Sequence, residues 1–359
     1  MFWTELTSES MAKGVSLRKL AAEVGLHSST VSRALSGHPA ISEATVRKVE
    51  AAAKKMGYMP NPDVRIAMSS IRRATENSLN GIFALLNFHP LEAPIQKELR
   101  QGRLYQGILR RAEALGWKAD EIEMRAAGMT TKRLRSILEA RNINGVILLP
   151  QALNEPVPKM DLGDLRVVAT SATWNTVPWF EKIPAVLPAH WRNAQVIFEH
   201  IKKQGYKRPL LVIHDGIEER HMHATEAAFL LSQQRGEWEA NLPILYDMNR
   251  KNIRALADKH QPDVIVGPDV FIKHSIENDL KLHCPKDCAC LTYARVDPSV
   301  TGFDQRWDLI GESAVDWLTG MLIQRASQNN NAQRVLLVQG KVREGPTLPR
   351  RKKKAGPKK

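Results

Sequence analysis

The stretch from Val15 to Asn61 constrains the fold more than any other part of the chain. Leu17, Leu20, Ala21 and Val24 recur at helical spacing and define the buried face of a short first helix. Ser16 precedes that run, where its side-chain oxygen can accept from free backbone N–H groups. Gly25 follows, where the chain must turn sharply into a second helix from about Ser28 to Leu35. In that helix Val31, Ala34 and Leu35 are apolar, and Ser28, Ser29, Ser32 and Arg33 lie opposite. A third helix starts after Ser42, an N-cap, with Glu43 in its first turn. Its stripe is Val46, Val49, Ala53 and Met56. Gly57 ends it, and Pro60 and Pro62 force an extended exit. This is the punctuation of a helix-turn-helix, whose second helix enters a DNA major groove.

The run Thr30-Val31-Ser32-Arg33-Ala34-Leu35-Ser36-Gly37 carries a more specific signal, as do Ser42 to Arg47 and Gly57-Tyr58-Met59-Pro60-Asn61. Together, without a gap, they resemble the DNA-binding headpiece of the LacI/GalR family of bacterial transcription regulators. The resemblance implies that Ser28, Ser29 and Arg33 face the bases, with Arg33 donating to a guanine edge. Thr30 and Ser32 would hold phosphates, which set register without reading sequence. Ser16, Leu17, Ser36, Tyr58 and Asn61 complete the implied contact set along the headpiece. Residues 61–75 correspond to the family's hinge, where a leucine wedges into the minor groove. Ala67 stands at that position here, flanked by Ile66 and Met68, and either neighbour is an apolar side chain able to unstack a base step.

Charge agrees with a phosphate-binding partner. The formal net charge is +14 in 359 residues. Residues 11–75 hold eleven Lys/Arg against four Asp/Glu, and residues 341–359 hold nine against one. The long middle is close to neutral, so the positive field sits at the two ends, where it would attract phosphates in a salt-sensitive way. The last segment, Arg350 onward, reads as a basic disordered tail on composition. Residues 1–14 read as an extension, the first ten being a disordered arm or a start misassigned upstream of Met11. They lack the basic region and apolar core of a secretory signal. No apolar run reaches the roughly 20 residues of a membrane helix. An odd count of three cysteines and no such signal point to a reducing cytoplasm.

From residue 76 the pattern changes to alternating short apolar runs and helical periodicities. Strands are expected at 81–88, 117–124, 145–149 and 166–170, with helices at 103–116 and 131–140 between them. The alternation repeats with helices at 193–204, 224–235, 252–260 and 272–282 and strands at 209–214, 242–246, 263–267 and 290–293. A helix at 309–322 and a strand at 334–339 close the series. Such alternation implies parallel sheets with right-handed crossovers. The expected architecture is α/β: an all-α headpiece (15–60), a hinge (61–75), and a core (76–348) of two parallel-sheet lobes, with the chain crossing late between them. Gly107 to Gly116, Ile143 to Pro150, Gly205 to Arg208 and Ile310 to Val315 resemble, in order and spacing, the family's effector-binding core, which is similar to periplasmic sugar-binding proteins.

That resemblance implies a small-molecule effector, such as a sugar, in a cleft between the lobes. Sugar sites need aromatic planes for pyranose faces and polar groups for hydroxyls. Trp174, Arg220, Asp269 and Asp304 are the candidate effector residues, with Trp179 and Phe180 as further aromatics. The acidic residue usual in the family near Pro188-Ala189 is missing. No cofactor or metal is expected. His283-Cys284-Pro285-Lys286-Asp287-Cys288-Ala289-Cys290 lacks the paired spacing of structural zinc sites, and His221-Met222-His223 is not a zinc-protease motif. No phosphate loop of the Walker type and no nucleophile elbow occurs, so catalysis is not expected. The expectation is a dimeric, ligand-controlled regulator of operator DNA. The competing readings are a non-specific DNA-coating protein and a cytoplasmic solute-binding module.

Overall fold

A computed structural model describes residues 15–35, 41–58, 81–89, 99–151, 160, 162–171, 183–246, 250–268, 271–294, 298–324 and 334–351. The side chains of residues 99–101, 215, 217, 220, 250 and 271 are outside that description. Ser36, Asn61, Ile66, Met68, the hinge 61–75, Trp174, Trp179, Phe180 and Asp269 lie outside the described residues. The chain divides into two compact units between Leu79 and Asn80.

The first unit holds three helices, α1 (Leu17–Val24), α2 (Ser28–Leu35) and α3 (Glu43–Met56). Their apolar stripes meet in one small core of Leu20, Ala21, Val24, Val31, Ala34, Val49 and Ala53. Leu17, Leu35, Val46, Met56 and Tyr58 close around it. A core this small depends on its helix ends being satisfied. Gly25 and Gly57 both adopt left-handed backbone, at φ 67° and 66°, so the chain reverses without Cβ strain.

The second unit begins with lobe 1: β1 (Ile82–Asn87), α4 (Leu99–Ala114), β2 (Lys118–Glu123), α5 (Thr131–Ala140), β3 (Gly145–Leu148), β4 (Arg166–Ala169) and β5 (Ala185–Pro188). Lobe 2 follows: α6 (His190–Lys203), β6 (Pro209–Val212), α7 (Asp215–Arg220), α8 (Ala224–Gln234), β7 (Ile244–Leu245), α9 (Arg250–His260), β8 (Val264–Gly267), α10 (Phe271–His274) running into a π-turn (Ser275–Asp279), β9 (Ala289–Thr292) and β10 (Gly302–Asp304). The chain then returns to lobe 1 for α11 (Trp307–Gln324) and β11 (Val335–Val338). It crosses once more for β12 (Lys341–Arg343).

The lobe 1 sheet runs β11-β5-β4-β3-β1-β2, all neighbours parallel; the lobe 2 sheet runs β12-β10-β9-β8-β6-β7, parallel except for β12. Each sheet is covered on both faces, so its inner strands are apolar throughout rather than alternating. In lobe 1, Phe83 and Leu85 point to α4 and α11, whereas Ala84 and Leu86 point to α5. In lobe 2, α6 and α8 cover one face through Phe198 and Phe229; α9 and α10 cover the other through Ile253 and Ile272.

Some elements differ from the sequence expectation, including α7, β10 and β12, which it did not assign. β5 was not anticipated, because its four residues are bracketed by Pro184 and end on Pro188, and proline argues against a strand. The helix expected at 272–282 becomes a single α-turn and a π-turn, and Lys281 beyond it has φ 58°.

Candidate nucleic-acid interface and inter-lobe site

The candidate recognition surface is built by caps. Ser16 Oγ accepts from the Lys19 N–H at 3.3 Å and fixes the start of α1. Gly25 and Leu26 return their N–H groups to Ala22 and Ala21 carbonyls at 3.2 and 3.0 Å, setting the turn into α2. There the cap is His27, which the sequence reading overlooked. Its Nδ1 accepts from the Ser29 N–H at 3.3 Å and lies 2.8 Å from Ser29 Oγ. Histidine is not a common N-cap, so no sequence signal marked it. Ser42 caps α3 through Thr45 N–H at 3.3 Å.

With α2 held at its start, its residues sort by face. Val31 and Ala34 are buried, Ser28, Thr30 and Ser32 are half-buried, and Ser29 and Arg33 are exposed. Ser29 and Arg33 are four residues apart and so share one face. That face offers a hydroxyl and a guanidinium, the donor and acceptor chemistry that reads base edges in a major groove. Ser16 is exposed at the N-terminus of α1, where free N–H groups suit a phosphate. Leu17 and Tyr58 pack against the headpiece core, and Tyr58 N–H closes α3 on Ala53 O at 2.9 Å. Arg18, Lys19, Arg47, Lys48, Lys54 and Lys55 are exposed cations of the same unit.

In the second unit three chain crossings lie together between the lobes. Ala189 N–H donates to Val338 O at 2.9 Å, and Gly340 N–H to Asn193 Oδ1 at 3.0 Å. A Cβ on Gly340 would sit 2.5 Å from Asp304 O and 2.3 Å from the Phe303 ring, so only glycine lets these strands touch. Asp304 is at the centre. Its carboxylate accepts from Arg103 Nη1 of lobe 1 at 2.9 Å, from Arg343 Nε of β12 at 3.2 Å and from Arg306 N–H at 2.9 Å. Arg103 also reaches Asp308 at 2.8 Å. Asp304 is thus engaged in a bridge between lobes. Burial raises its carboxyl pKa, but the Arg306 N–H and the two guanidinium groups outweigh burial and leave it below the ordinary value.

A group with a depressed folded pKa contributes stability above its unfolded pKa and loses it as pH falls through the folded value. Asp304→Asn is therefore expected to cost about 1–3 kcal/mol at neutral pH, less than a wholly buried pair because both arginines are half-exposed. The difference from wild type should shrink as pH falls below about 3.9. Melting curves across pH check this; a gap that is constant down to acid pH would remove the bridge as its source.

The first crossing also carries an unforeseen pair. His190 opens α6 and stacks on His221, ring centroids 3.8 Å apart. Burial, then the neighbouring His221, holds the His190 pKa well below the usual value. Glu218 is buried beside them and caps α8 through the N–H groups of Thr225 and Glu226 at 3.2 and 3.3 Å. Arg220 ends α7 next to this group, its side chain outside the described residues. Among the described residues no group of three or more His, Cys, Asp or Glu is arranged to hold a metal. No described helix is long and apolar enough to cross a membrane. Arg351, expected in the basic tail, is held by contacts with the rest of the chain. Arg351 donates to Asp263 at 2.6 Å, its N–H to Gln204 O at 2.8 Å, and its guanidinium lies 4.6 Å over the Tyr206 ring.

Comparison with known proteins agrees with these features. Residues 16–61 match the profile of "Bacterial regulatory proteins, lacI family". The maltose regulon regulatory protein MalI of Escherichia coli K12 is 25% identical over 202 residues, 55% of this chain and 53% of MalI, so the chain spans about half the length of that relative. The lac repressor dimer bound to operator and the anti-inducer ONPF shares the fold at a TM-score of 0.55 and 16% identity, over 94% of this chain and 100% of that one. The CelR–cellobiose complex does so at 0.55 and 19%, over 93% and 99%. The headpiece matches a family of regulators rather than enzymes, and the two-lobed core shares the fold of its structures. Residues 16–61 form a lacI-family headpiece, and the two-lobed core shares its fold with the solved structures above.

Proposed function

We propose that the protein is a sequence-specific transcription repressor that binds an imperfect palindrome as a dimer in the cytoplasm. A small ligand, a sugar being the first class to test, controls it from the cleft between its lobes. The observation that carries this reading is the outer face of α2, where Ser29 and Arg33 are exposed on a helix capped at its start and packed against α1 and α3. Ser28, Ser29 and Arg33 contact bases, while Ser16, Leu17, Thr30, Ser32, Ser36, Tyr58 and Asn61 hold the backbone. Ile66 or Met68 enters the minor groove. One headpiece reads few base pairs, so a second copy supplies the other half-site. An apolar edge of lobe 2 supports such pairing: Met222, Leu230 and Tyr246 are 68%, 46% and 46% exposed, and Tyr246 donates to Glu226, one turn before Leu230.

The ligand class rests on the CelR–cellobiose neighbour, with Trp174, Arg220, Asp269 and Asp304 as the contacts. A ligand touching Asp304 would compete with Arg103 and Arg343, and so would bias one lobe arrangement over another.

Selection of bound duplexes from a random pool tests the function. The expected product is one short imperfect palindrome, bound by a dimer at least about 1,000-fold tighter than random DNA. Equal affinity for every duplex would favour a DNA-coating protein. Retention of all ligand binding with no DNA binding would favour a solute-binding module.

A further inference from the structure

The cysteine-rich segment after the π-turn takes no part in the reading above. Cys284 Sγ lies 3.7 Å from Cys290 Sγ, with the two thiols six residues apart. Cys290 is buried in β9, its N–H donating to Thr347 O at 3.0 Å and its carbonyl accepting from Thr347 Oγ1 at 2.9 Å. Cys284 sits on the loop leading into β9 and is partly open to solvent. Cys288 is buried, its thiol directed at the Ala289 carbonyl at 3.6 Å. One thiol is therefore reachable, a second stands directly behind it, and the third is engaged elsewhere.

We propose that Cys284 and Cys290 form a reversible oxidation site, in which Cys284 attacks a hydroperoxide and Cys290 resolves the product to an intramolecular disulfide. In the first step the Cys284 thiolate attacks the outer oxygen of the hydroperoxide. A sulfur–oxygen bond forms, the O–O bond breaks, and the leaving alkoxide or hydroxide takes a proton to give the alcohol or water. In the second step the Cys290 sulfur attacks the sulfenic sulfur, and hydroxide leaves with the Cys290 proton as water. The two thiols lose two electrons and the hydroperoxide gains two.

The assignment of attacker and resolver follows from the surroundings. The thiolate is the nucleophile, so the lower-pKa, exposed thiol reacts first. The Cys290 thiol, as a hydrogen-bond partner, pulls the Cys284 pKa down, with the nearby Lys273 charge acting in the same direction against burial and Glu277. The same contact and then burial push Cys290 up, and burial pushes Cys288 up. Closing the sulfurs from 3.7 Å to the roughly 2.05 Å of a disulfide needs a local shift. Cys290 is held from both sides, by Thr347 and by its pairing with Ile265 of β8, so the Cys284 loop is the part that moves.

The test is peroxide treatment of the full-length protein, followed by alkylation and mass spectrometry without reductant. The expected product is two hydrogens lighter, links Cys284 to Cys290, reverts with dithiothreitol, and leaves Cys288 a thiol. Cys290→Ser should stop at a Cys284 sulfenic acid that dimedone captures, and Cys284→Ser should resist the same dose. Three unreacted thiols in the treated wild type would overturn the proposal. So would a link from Cys284 to Cys288 or to a second chain. The wild-type readout stands even if either variant fails to fold.

Discussion

Gly311→Val is expected to unseat α11 from α4 and to destabilise the core by about 3 kcal/mol or more, the upper range for overpacking. The two helices cross on glycines. A Cβ at Gly311 would lie 2.4 Å from Leu104 O and 2.9 Å from Ile108 N, and one at Gly107 would lie 2.2 Å from Asp308 O. These are backbone atoms, so no side chain can swing aside to make room. Relief requires the helices to separate, and separation would open the contact between Leu104, Ile108, Ile310, Ala314 and Leu318, all buried there. It would also draw apart the ion pairs Arg103–Asp308, Arg110–Glu312 and Arg111–Asp316 along the same crossing. Gly320, on the same helix, is the control. Nothing lies within 4 Å of a Cβ there, and Gly320→Ala should raise stability by about 0.5–1 kcal/mol through helix propensity. Thermal melting separates the two; a Gly311→Val protein that melts with wild type would show that the helices do not cross as described.

Arg33→Ala should weaken binding to the selected operator by roughly 10- to 100-fold, the loss of one good base contact. Its affinity for random DNA should change little. Arg33 is exposed and its neighbours Val31 and Ala34 form the buried face, so removing it leaves the headpiece core intact. Arg18→Ala, which removes an exposed headpiece cation, should instead give a uniform loss across sequences and a salt slope reduced by about 1 if that charge meets a phosphate. Titrations at several salt concentrations distinguish them. If Arg33→Ala binds operator as wild type does, α2 is not the helix that reads bases.

These two predictions differ in how their grounds became visible. The headpiece could be read residue by residue. Ser16, Gly25, Ser42 and Gly57 act on backbone groups only a few positions away, and the buried stripe of each helix repeats at the helical period. A cap or a period is local chemistry, so a linear sequence displays it. Even here His27 was missed, because its role depends on a ring orientation that residue type alone does not specify.

In the core the alternation of strand and helix was also visible, since each element carries its own hydrophobic pattern. What the alternation could not say was which elements meet. Gly107 and Gly311 stood out in the sequence only as parts of two familiar-looking segments, and folding makes each the reason for the other. Arg103 and Asp304, 201 positions apart, leave no trace of their pairing in either neighbourhood. Asp304 is a candidate ligand contact in the sequence, and the folded chain also engages it between lobes. β5, flanked by proline, becomes a strand because β4 and β11 offer it partners on both sides. The sequence by itself determined the headpiece, its caps and the rhythm of the core, all properties of residues within a turn or two of one another. Only the tertiary structure decided the helix crossing, the inter-lobe bridge and the thiol pair, because contact across chain crossings and loops depends on where the backbone returns.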